Sequence, residues 1–504
     1  MNAEQTRLEE GQGRKQLRLL LVDANSSWLA REGGKSAQVV LPLGLMYLSA
    51  AVKRAFGSGV EVRLLNMAID CDSQADYDAR VAAFAPDVVG FRSLSAGRGF
   101  FYELARQTRE LCPGAVLIAG GPHATLWPRE VLEQTPIDFI VVGEGERTLV
   151  ELLEHLTGRR ELDRLTGLWY RRDGDIRQAP PAEYIQDVDA LPWPDYDVID
   201  LEAYARVLSY GYTMRRQGVV LTSRGCPFSC RYCFKLMGRR YRPRDPLSVA
   251  DEIEHLQKDR GIRDILFVDD TFNLQANRVE TIFQELRRRK LQANYYFPAG
   301  LRADLMTPAL IDLLVEAGTC WITYAVETVV PRIMRLAGRT GDVEKMAEII
   351  DYTVAKRIMV GLFSMVGFPT ETREEAMTTL EYIRRRRATM PFFFAVKYFP
   401  GTELTQLALE QQAITPEIVE RAASAYHDVS GAQTSTMSQA DFQELFMFYL
   451  KDILMDGPRL AQALEVQERY LQPHELAAAY SALLNKKITD PRRTFRFALQ
   501  KERS

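Results

Sequence analysis

The sequence predicts an α/β protein built on two parallel sheets. An N-terminal doubly wound, Rossmann-like unit is followed by a partial, TIM-like (β/α)6 barrel and a helical C-terminal region. Three observations predict it. Short apolar runs alternate with helix-like stretches over residues 17–156 and again over 218–398, the pattern of strands joined by crossover helices. A polar, proline-punctuated stretch without that alternation separates the two. Finally, 504 residues exceed what one core usually fills, so two or three domains are required.

Composition is that of an ordinary soluble protein, 46% hydrophobic and 26% charged. The net charge of -3 gives no electrostatic case for nucleic acid as the main partner. Basic runs at 287–290 and 384–387 fall in helix-like segments with carboxylates nearby and read as solvated helix faces. Residues 1–16 form a polar segment without the apolar core of a signal peptide. The longest uncharged stretch, 36–52, is interrupted by Gln38, Pro42, Gly44 and Ser49, and its apolar run falls short of the roughly 18 residues of a membrane span. A cytoplasmic protein with no transmembrane segment is expected.

In the first unit, 17–156, strands are expected at 17–22, 60–65, 87–91, 115–119 and 139–142. Helices are expected at 43–55, 76–84, 99–112, 128–133 and 147–156. Such a domain binds its ligand at the carboxyl ends of the strands. The loops there are 23–28, 92–97, 120–125 and 143–146. Paired glycines such as Gly120 and Gly121 let backbone approach a flat ligand, and hydroxyl and amide side chains suit a nucleotide tail. Glycine-rich turns occur in every fold of this kind, so each loop alone says little.

Residues 157–214 change character. A hairpin is expected at 167–176 with Asp173 and Gly174 as its turn, then Pro192 and Pro194 stiffen the chain; this stretch reads as a bridge.

After a short strand at 218–222 come Cys226, Cys230 and Cys233, a C-x3-C-x2-C array on a loop that Gly225 and Pro227 force. Three thiolates can hold three irons of a four-iron four-sulfur cluster and leave the fourth iron open. A zinc site would want a fourth ligand nearby, and no histidine lies between 156 and 254. A disulfide framework does not fit a long chain in which only three of six cysteines cluster. Cys71, Cys112 and Cys320 read as structural.

The barrel, 215–403, continues with strands at 264–268, 295–299, 321–326, 359–366 and 393–398, and helices at 246–260, 277–290, 308–317 and 371–387. Six such units close only part of a barrel, with the reaction at the strand tops. Strand-end candidates are Asp269 and Asp270, Arg302, Glu327, Gly367 and Pro400 with Gly401. Glu327 can accept hydrogen bonds from a ribose or ammonium, and Gly367 admits backbone near an adenine. Asp270 also reads as a helix cap, and Pro400-Gly401 as a plain turn. In the helical region, 404–504, segments 416–426, 439–456 and 473–484 stand out, the second apolar around most of its circumference and therefore buried.

The cysteine spacing, with Tyr232 just before the last thiol, resembles the signature of the radical S-adenosylmethionine enzymes. That resemblance implies that the open iron chelates the cofactor's amino and carboxylate groups. An electron from the cluster then cleaves it to a 5'-deoxyadenosyl radical, with Tyr232 beside the adenine. The loops of the first unit, in their order, together with 41–48 and 141–146, resemble the cobalamin-binding domain that precedes the radical domain in one large subfamily, and 157–214 resembles its bridge. The strand-end stretches at 269–272, 302, 327–328, 367–370 and 400–402 look like that subfamily's as well.

The resemblance implies a cobalamin site at Asn25, Arg92, Ser93, Leu94, Gly120, Gly121, His123, Gly143 and Glu144. It implies S-adenosylmethionine or substrate contacts at Tyr232, Asp270, Arg302, Glu327 and Gly367. Many such proteins carry Asp-x-His-x-x-Gly in the first loop; here the matching residues are Asp23, Asn25 and Trp28, so no histidine is available to the lower face of the cobalt, and Arg92 is placed nearest that face. His123 has a competing reading as a satisfied turn histidine. The implied activity is methylation of an unactivated carbon of a small molecule or natural product, with flavodoxin or ferredoxin as electron donor. A cyclase without net methyl transfer and a non-catalytic sensor are the alternatives. No catalytic side chain is singled out.

Overall fold

The computed structural model describes residues 16–26, 39–422 and 432–487. Of the expectations above, the segment 1–15, Trp28 and the end of the 416–426 helix lie outside the described residues.

The first sheet has seven strands: β1 (Leu17–Asp23), β2 (Val60–Asn66), β3 (Val88–Arg92), β4 (Val116–Gly120), β5 (Phe139–Val141), β6 (Leu168–Arg172) and β7 (Asp175–Gln178), in the order β2-β1-β3-β4-β5-β6-β7. Strands β1 to β5 are parallel and nearly all apolar because helices cover both faces, giving one buried cluster on each side. The order reverses at β1, which opens a crevice between β1 and β3. Register puts Asp23 opposite Arg92 and Arg92 opposite Gly120, so three loops leave the sheet at one height.

The bridge hairpin does more than connect. Asp173 and Gly174 both have positive φ, 55° and 85°, as a two-residue hairpin turn needs, and β6 pairs antiparallel with β5, lengthening the first sheet. Periodicity reveals a hairpin but not its partner strand. The stretch after β4, read as loop, is a short helix, Gly121–Leu126, with proline at its second position.

The second sheet comprises β8 (Gln217–Val220), β11 (Asp264–Phe267), β12 (Asn294–Leu301), β13 (Thr319–Glu327), β14 (Met359–Val366) and β15 (Met390–Ala395). The strands are all parallel, in the order β15-β14-β13-β12-β11-β8. A small antiparallel ladder of β9 (Ser223–Arg224) and β10 (Arg242–Pro243) brackets the cysteine loop. Helices Pro246–Lys258, Ala276–Arg288, Pro308–Glu316 and Arg373–Arg385 cross over as expected, while the β13-to-β14 crossover holds two further helices, Pro331–Leu336 and Val343–Ala355. Strand β15 starts three residues before the expected 393, taking in Pro391, which an edge strand tolerates.

C-terminal helices tie the two edges of this open barrel together. The Gln439–Phe448 helix runs into a π-helical turn, Tyr449–Leu454, whose Tyr449 hydroxyl donates to Pro391 O at 2.8 Å. The buried Arg459 guanidinium donates to Leu454 O and Ala388 O, both at 2.7 Å. Fully buried Glu475 accepts two bonds from Arg215, at 2.6 and 3.0 Å, just before β8. Among the described residues no helix is long and apolar enough to cross a membrane.

Candidate active site at the domain junction

A cavity of about 270 Å³ opens at the carboxyl ends of β1, β3, β4 and β5. Leu21, Arg92, Gly120, Gly121, Gly143 and Glu144 line it from the first sheet, and Leu221, Arg224, Leu236, Met237 and Val268 from the second. It is a groove for one face of a large flat ligand rather than an enclosure for all of it. Arg92 is fixed at its floor, Nη1 donating to both Asp23 oxygens at 3.1 and 3.2 Å. Gly121 (φ 77°) must lack a side chain, because a Cβ would lie 2.9 Å from Arg92 Cγ, whereas a Cβ at Gly143 would meet nothing within 4 Å. That glycine cradle above a fixed cation fits a corrin.

The other first-domain candidates shape the loops behind the cavity. Asn25 Oδ1 accepts from Leu94 N at 3.3 Å, and Ser93 Oγ donates to Leu94 O at 2.9 Å. His123 is fully buried, Nε2 bonding Tyr102 Oη at 2.9 Å and Nδ1 bonding Ser95 Oγ at 3.2 Å; burial depresses its pKa to about 4. It does not line the cavity.

Glu144 carries an unexpected partner set. Its two oxygens accept from Arg242 Nη1 and Nη2 at 2.9 and 2.8 Å, and Ile185 N adds a third bond at 2.8 Å. Glu146 accepts from Arg224 Nη2 at 2.5 Å, and Arg224 also lies over the Tyr47 ring at 5.2 Å. These ion pairs are buried and join the loop after β5 to the β9–β10 ladder. Sequence reasoning missed both arginines: Arg224 stands beside the cysteine loop, but nothing local announces a partner 78 residues away.

The cysteine loop is held by its backbone. Gly225 (φ 79°) packs so closely that a Cβ would lie 2.3 Å from Arg240 O. Lys235 Nζ donates to Phe228 O and, at 3.3 Å, to Cys226 O. Arg231 N donates to Ala337 O at 2.9 Å, and Thr271 Oγ1 donates to Cys226 Sγ at 2.9 Å. Cys226, Cys230 and Cys233 are all free thiols. Among the described residues no group of three His, Cys, Asp or Glu side chains could hold a single metal ion. A cubane cluster asks for something different, since each thiolate binds its own iron and the three sulfurs need not converge. Three free thiols on one glycine-shaped loop fit that demand.

Beside Cys230 lies a buried polar group. Arg339 Nη1 donates to Tyr232 Oη at 3.4 Å, and its Nη2 donates to Ala325 O. Glu327 occupies a left-handed conformation (φ 64°) at a bulge in β13, the strained backbone that tends to mark functional sites. Burial lifts the Glu327 carboxyl above its ordinary range and Arg339 pulls it back; burial, then Glu327, lift the Tyr232 phenol. Arg339 escaped sequence reasoning because it follows a short crossover helix rather than a strand.

Arg302 caps β12 with its guanidinium 4.2 Å from the Phe228 ring centroid and Nε bonded to Asp304 at 2.9 Å. Its Nη1 is buried and unpartnered, a waiting donor for an anionic group. Asp269 is consumed by Thr222 and Ser223, at 2.7 and 2.5 Å, while Asp270 is exposed at the strand top. Gly367 (φ 91°) lies under Phe442, whose ring a Cβ would meet at 2.5 Å. Its N–H and that of Phe368 donate to Glu371 Oε2 at 2.6 and 3.0 Å.

Residues 220–383 match the family model of the radical SAM superfamily, and residues 33–153 match that of the B12 binding domain. The chain is 30% identical over 397 residues to an uncharacterised methyltransferase of Pyrococcus horikoshii, covering 78% of this chain and 83% of that one. It is 25% identical over 371 residues to the anaerobic magnesium-protoporphyrin IX monomethyl ester cyclase of Rubrivivax gelatinosus, covering 72% and 66%. The solved structure of the cobalamin-dependent S-adenosylmethionine radical enzyme OxsB, with aqua-cobalamin and S-adenosylmethionine bound, superposes with a TM-score of 0.71. Its sequence identity is 16%, covering 94% of this chain and 71% of that one, so the likeness is one of fold.

Proposed function

The chain belongs to the cobalamin-dependent radical S-adenosylmethionine enzymes, which use a 4Fe-4S cluster, S-adenosylmethionine and cobalamin, and on that footing we propose that it methylates an unactivated carbon of a small-molecule substrate. One observation carries the reading: a single cavity is walled by the glycine loops of the first sheet and by Arg224, Leu236 and Met237 around the cysteine loop. When bound, the cluster and S-adenosylmethionine supply a 5'-deoxyadenosyl radical and cobalamin supplies the methyl group.

The protein's own part is binding, orientation and exclusion of water, the work that falls to a protein around such cofactors. Cys226, Cys230 and Cys233 are the iron ligands. Tyr232, Glu327 and the unpartnered Arg302 Nη1 offer hydrogen bonds to the polar groups of S-adenosylmethionine, with Asp270 at the mouth. Arg92, Gly120, Gly121, Gly143 and Glu144 bear on cobalamin, while Asn25, Ser93, Leu94 and His123 support the loops behind them. The electron comes from a reduced flavodoxin or ferredoxin, in the cytoplasm, where an oxygen-labile open cluster survives.

The cyclase among the relatives keeps ring formation without methyl transfer as a second reading. Anaerobic incubation with methyl-labelled S-adenosylmethionine, a reductant and a small-molecule extract of the host decides between them. Label in a new product together with 5'-deoxyadenosine is the expected result. A new product without label selects the cyclase, and absence of 5'-deoxyadenosine overturns both.

A further inference from the structure

Thr271 stands just past the top of β11 and immediately before the helical turn Phe272–Leu274. A threonine in that place commonly caps the turn by accepting a backbone N–H, yet no side-chain cap bond is made here. The hydroxyl faces the cysteine loop instead, with Oγ1 2.9 Å from Cys226 Sγ. The residue is 4% exposed, which keeps bulk water from the contact.

Its neighbours on both sides hold it there. Asp269 accepts from Thr222 N at 3.2 Å, Thr222 Oγ1 at 2.7 Å and Ser223 Oγ at 2.5 Å, which locks the end of β11 to the residues between β8 and the thiols. Phe272 packs against Phe267 and Phe297, each 4.9 Å away between centroids, and Asn273 exchanges two bonds with the Arg302 backbone, at 2.8 and 3.2 Å. A donor fixed in this way needs little reorganisation when charge appears on its acceptor.

The hydroxyl has one proton and a second acceptor in reach, Asp270 O at 2.7 Å. With Cys226 ionised as an iron ligand, its sulfur is the charged and therefore the stronger acceptor, and the proton points to it. Cys233 is placed differently: its Sγ lies 3.9 Å from Phe234 O, an acceptor that offers a thiolate nothing.

We propose that the Thr271 hydroxyl raises the reduction potential of the cluster by donating to the Cys226 thiolate. The proposal rests on Cys226 being a cluster ligand. Reduction adds one electron, taken from the flavodoxin or ferredoxin donor, and neither adds nor removes an atom; the extra negative charge spreads onto the ligating sulfurs. A hydrogen bond to sulfur strengthens as that charge grows, so it favours the reduced cluster over the oxidised one. In a buried site the bond counts for more than it would in water. Thr271 thereby eases the entry of an electron that the three thiolates alone would accept less readily.

The test is potentiometric titration of the anaerobic, cluster-reconstituted protein, followed by electron paramagnetic resonance of the reduced cluster, in parent, Thr271→Val and Thr271→Ser. Valine keeps the shape and deletes the donor, whereas serine keeps the donor. At a fixed potential, Thr271→Val is expected to shift the ratio of reduced to oxidised cluster about tenfold toward the oxidised form, equal to about 59 mV for one electron, with iron and sulfide content at the parent's level. Thr271→Ser should titrate close to the parent, and Thr271→Ala repeats the deletion if valine hinders cluster uptake. A valine variant that titrates with the parent, or a serine variant that shifts as far as valine, overturns the proposal. Loss of the cluster in both Thr271→Val and Thr271→Ala overturns it too, by making the hydroxyl a support of the loop. If the parent itself takes up no cluster, the family reading beneath the proposal fails instead.

Discussion

Arg224 and Glu146 meet at 2.5 Å across the junction of the two sheets, the arginine two residues ahead of the first thiol of the cysteine loop and the glutamate at the start of the helix that follows β5. With Arg242 and Glu144 beside them, they form a buried polar seam between the two sheets along the groove. Removing Arg224 leaves Glu146 charged and unpaired in a buried site, which costs about 3–5 kcal/mol, whereas removing both costs much less. Arg224→Met should therefore melt well below the parent, and Arg224→Met with Glu146→Leu should recover most of the loss. A thermal melt of the parent, the Arg224→Met and Glu146→Leu single variants and the double variant checks this; strictly additive losses would contradict it.

Gly225→Ala is expected to lose the cluster. The new methyl would press on Arg240 O at 2.3 Å in a left-handed conformation, a strain of about 1–3 kcal/mol placed directly on the loop that carries the thiols. Iron and sulfide analysis of the anaerobically reconstituted variant should show a clear deficit, and an iron content equal to the parent's would contradict it.

Cys230→Ala should abolish 5'-deoxyadenosine formation. Turnover retained by this variant would show that the loop does not hold the cluster.

Glu371 predicts a pH dependence. Burial raises its carboxyl from 4.5 to about 8, so the folded state holds a proton that the unfolded chain gives up. The stability from that proton is complete below about pH 4.5 and is lost as pH rises toward 8. Glu371→Gln should flatten the fall in melting temperature between pH 5 and 8. A parent and variant that decline in parallel would assign the slope to other groups.

Arg92→His should change the visible spectrum of bound cobalamin. The side chain leaves the sheet at the cavity floor beside Asp23, so an imidazole there is within reach of a bound corrin. An unchanged spectrum would move Arg92 away from the cobalt.

Much of this architecture is legible in the residues, because it depends on local pattern. The apolar runs of β1, β2 and β14 announce themselves, and thiol spacing is a property of one loop. Glu144 shows what local pattern cannot supply: its motif is visible, but its partner lies 98 residues along, and only folding reveals that it grips Arg242 as well as lining the groove. Arg339 and the β6 edge pairing were hidden for the same reason. His123 illustrates the reverse, a motif position whose side chain turns out to be satisfied by Tyr102 and Ser95.

The Arg215–Glu475 pair joins residues 260 positions apart and closes the barrel's two edges through the final helices. A chain leaving the ribosome N-terminus first completes the cobalamin-binding sheet early, since its last strand ends at Gln178. The thiol loop, by contrast, sits on a barrel whose edge contact awaits Glu475. The corrin-binding half can therefore stand before the barrel that carries the thiols has its edges joined.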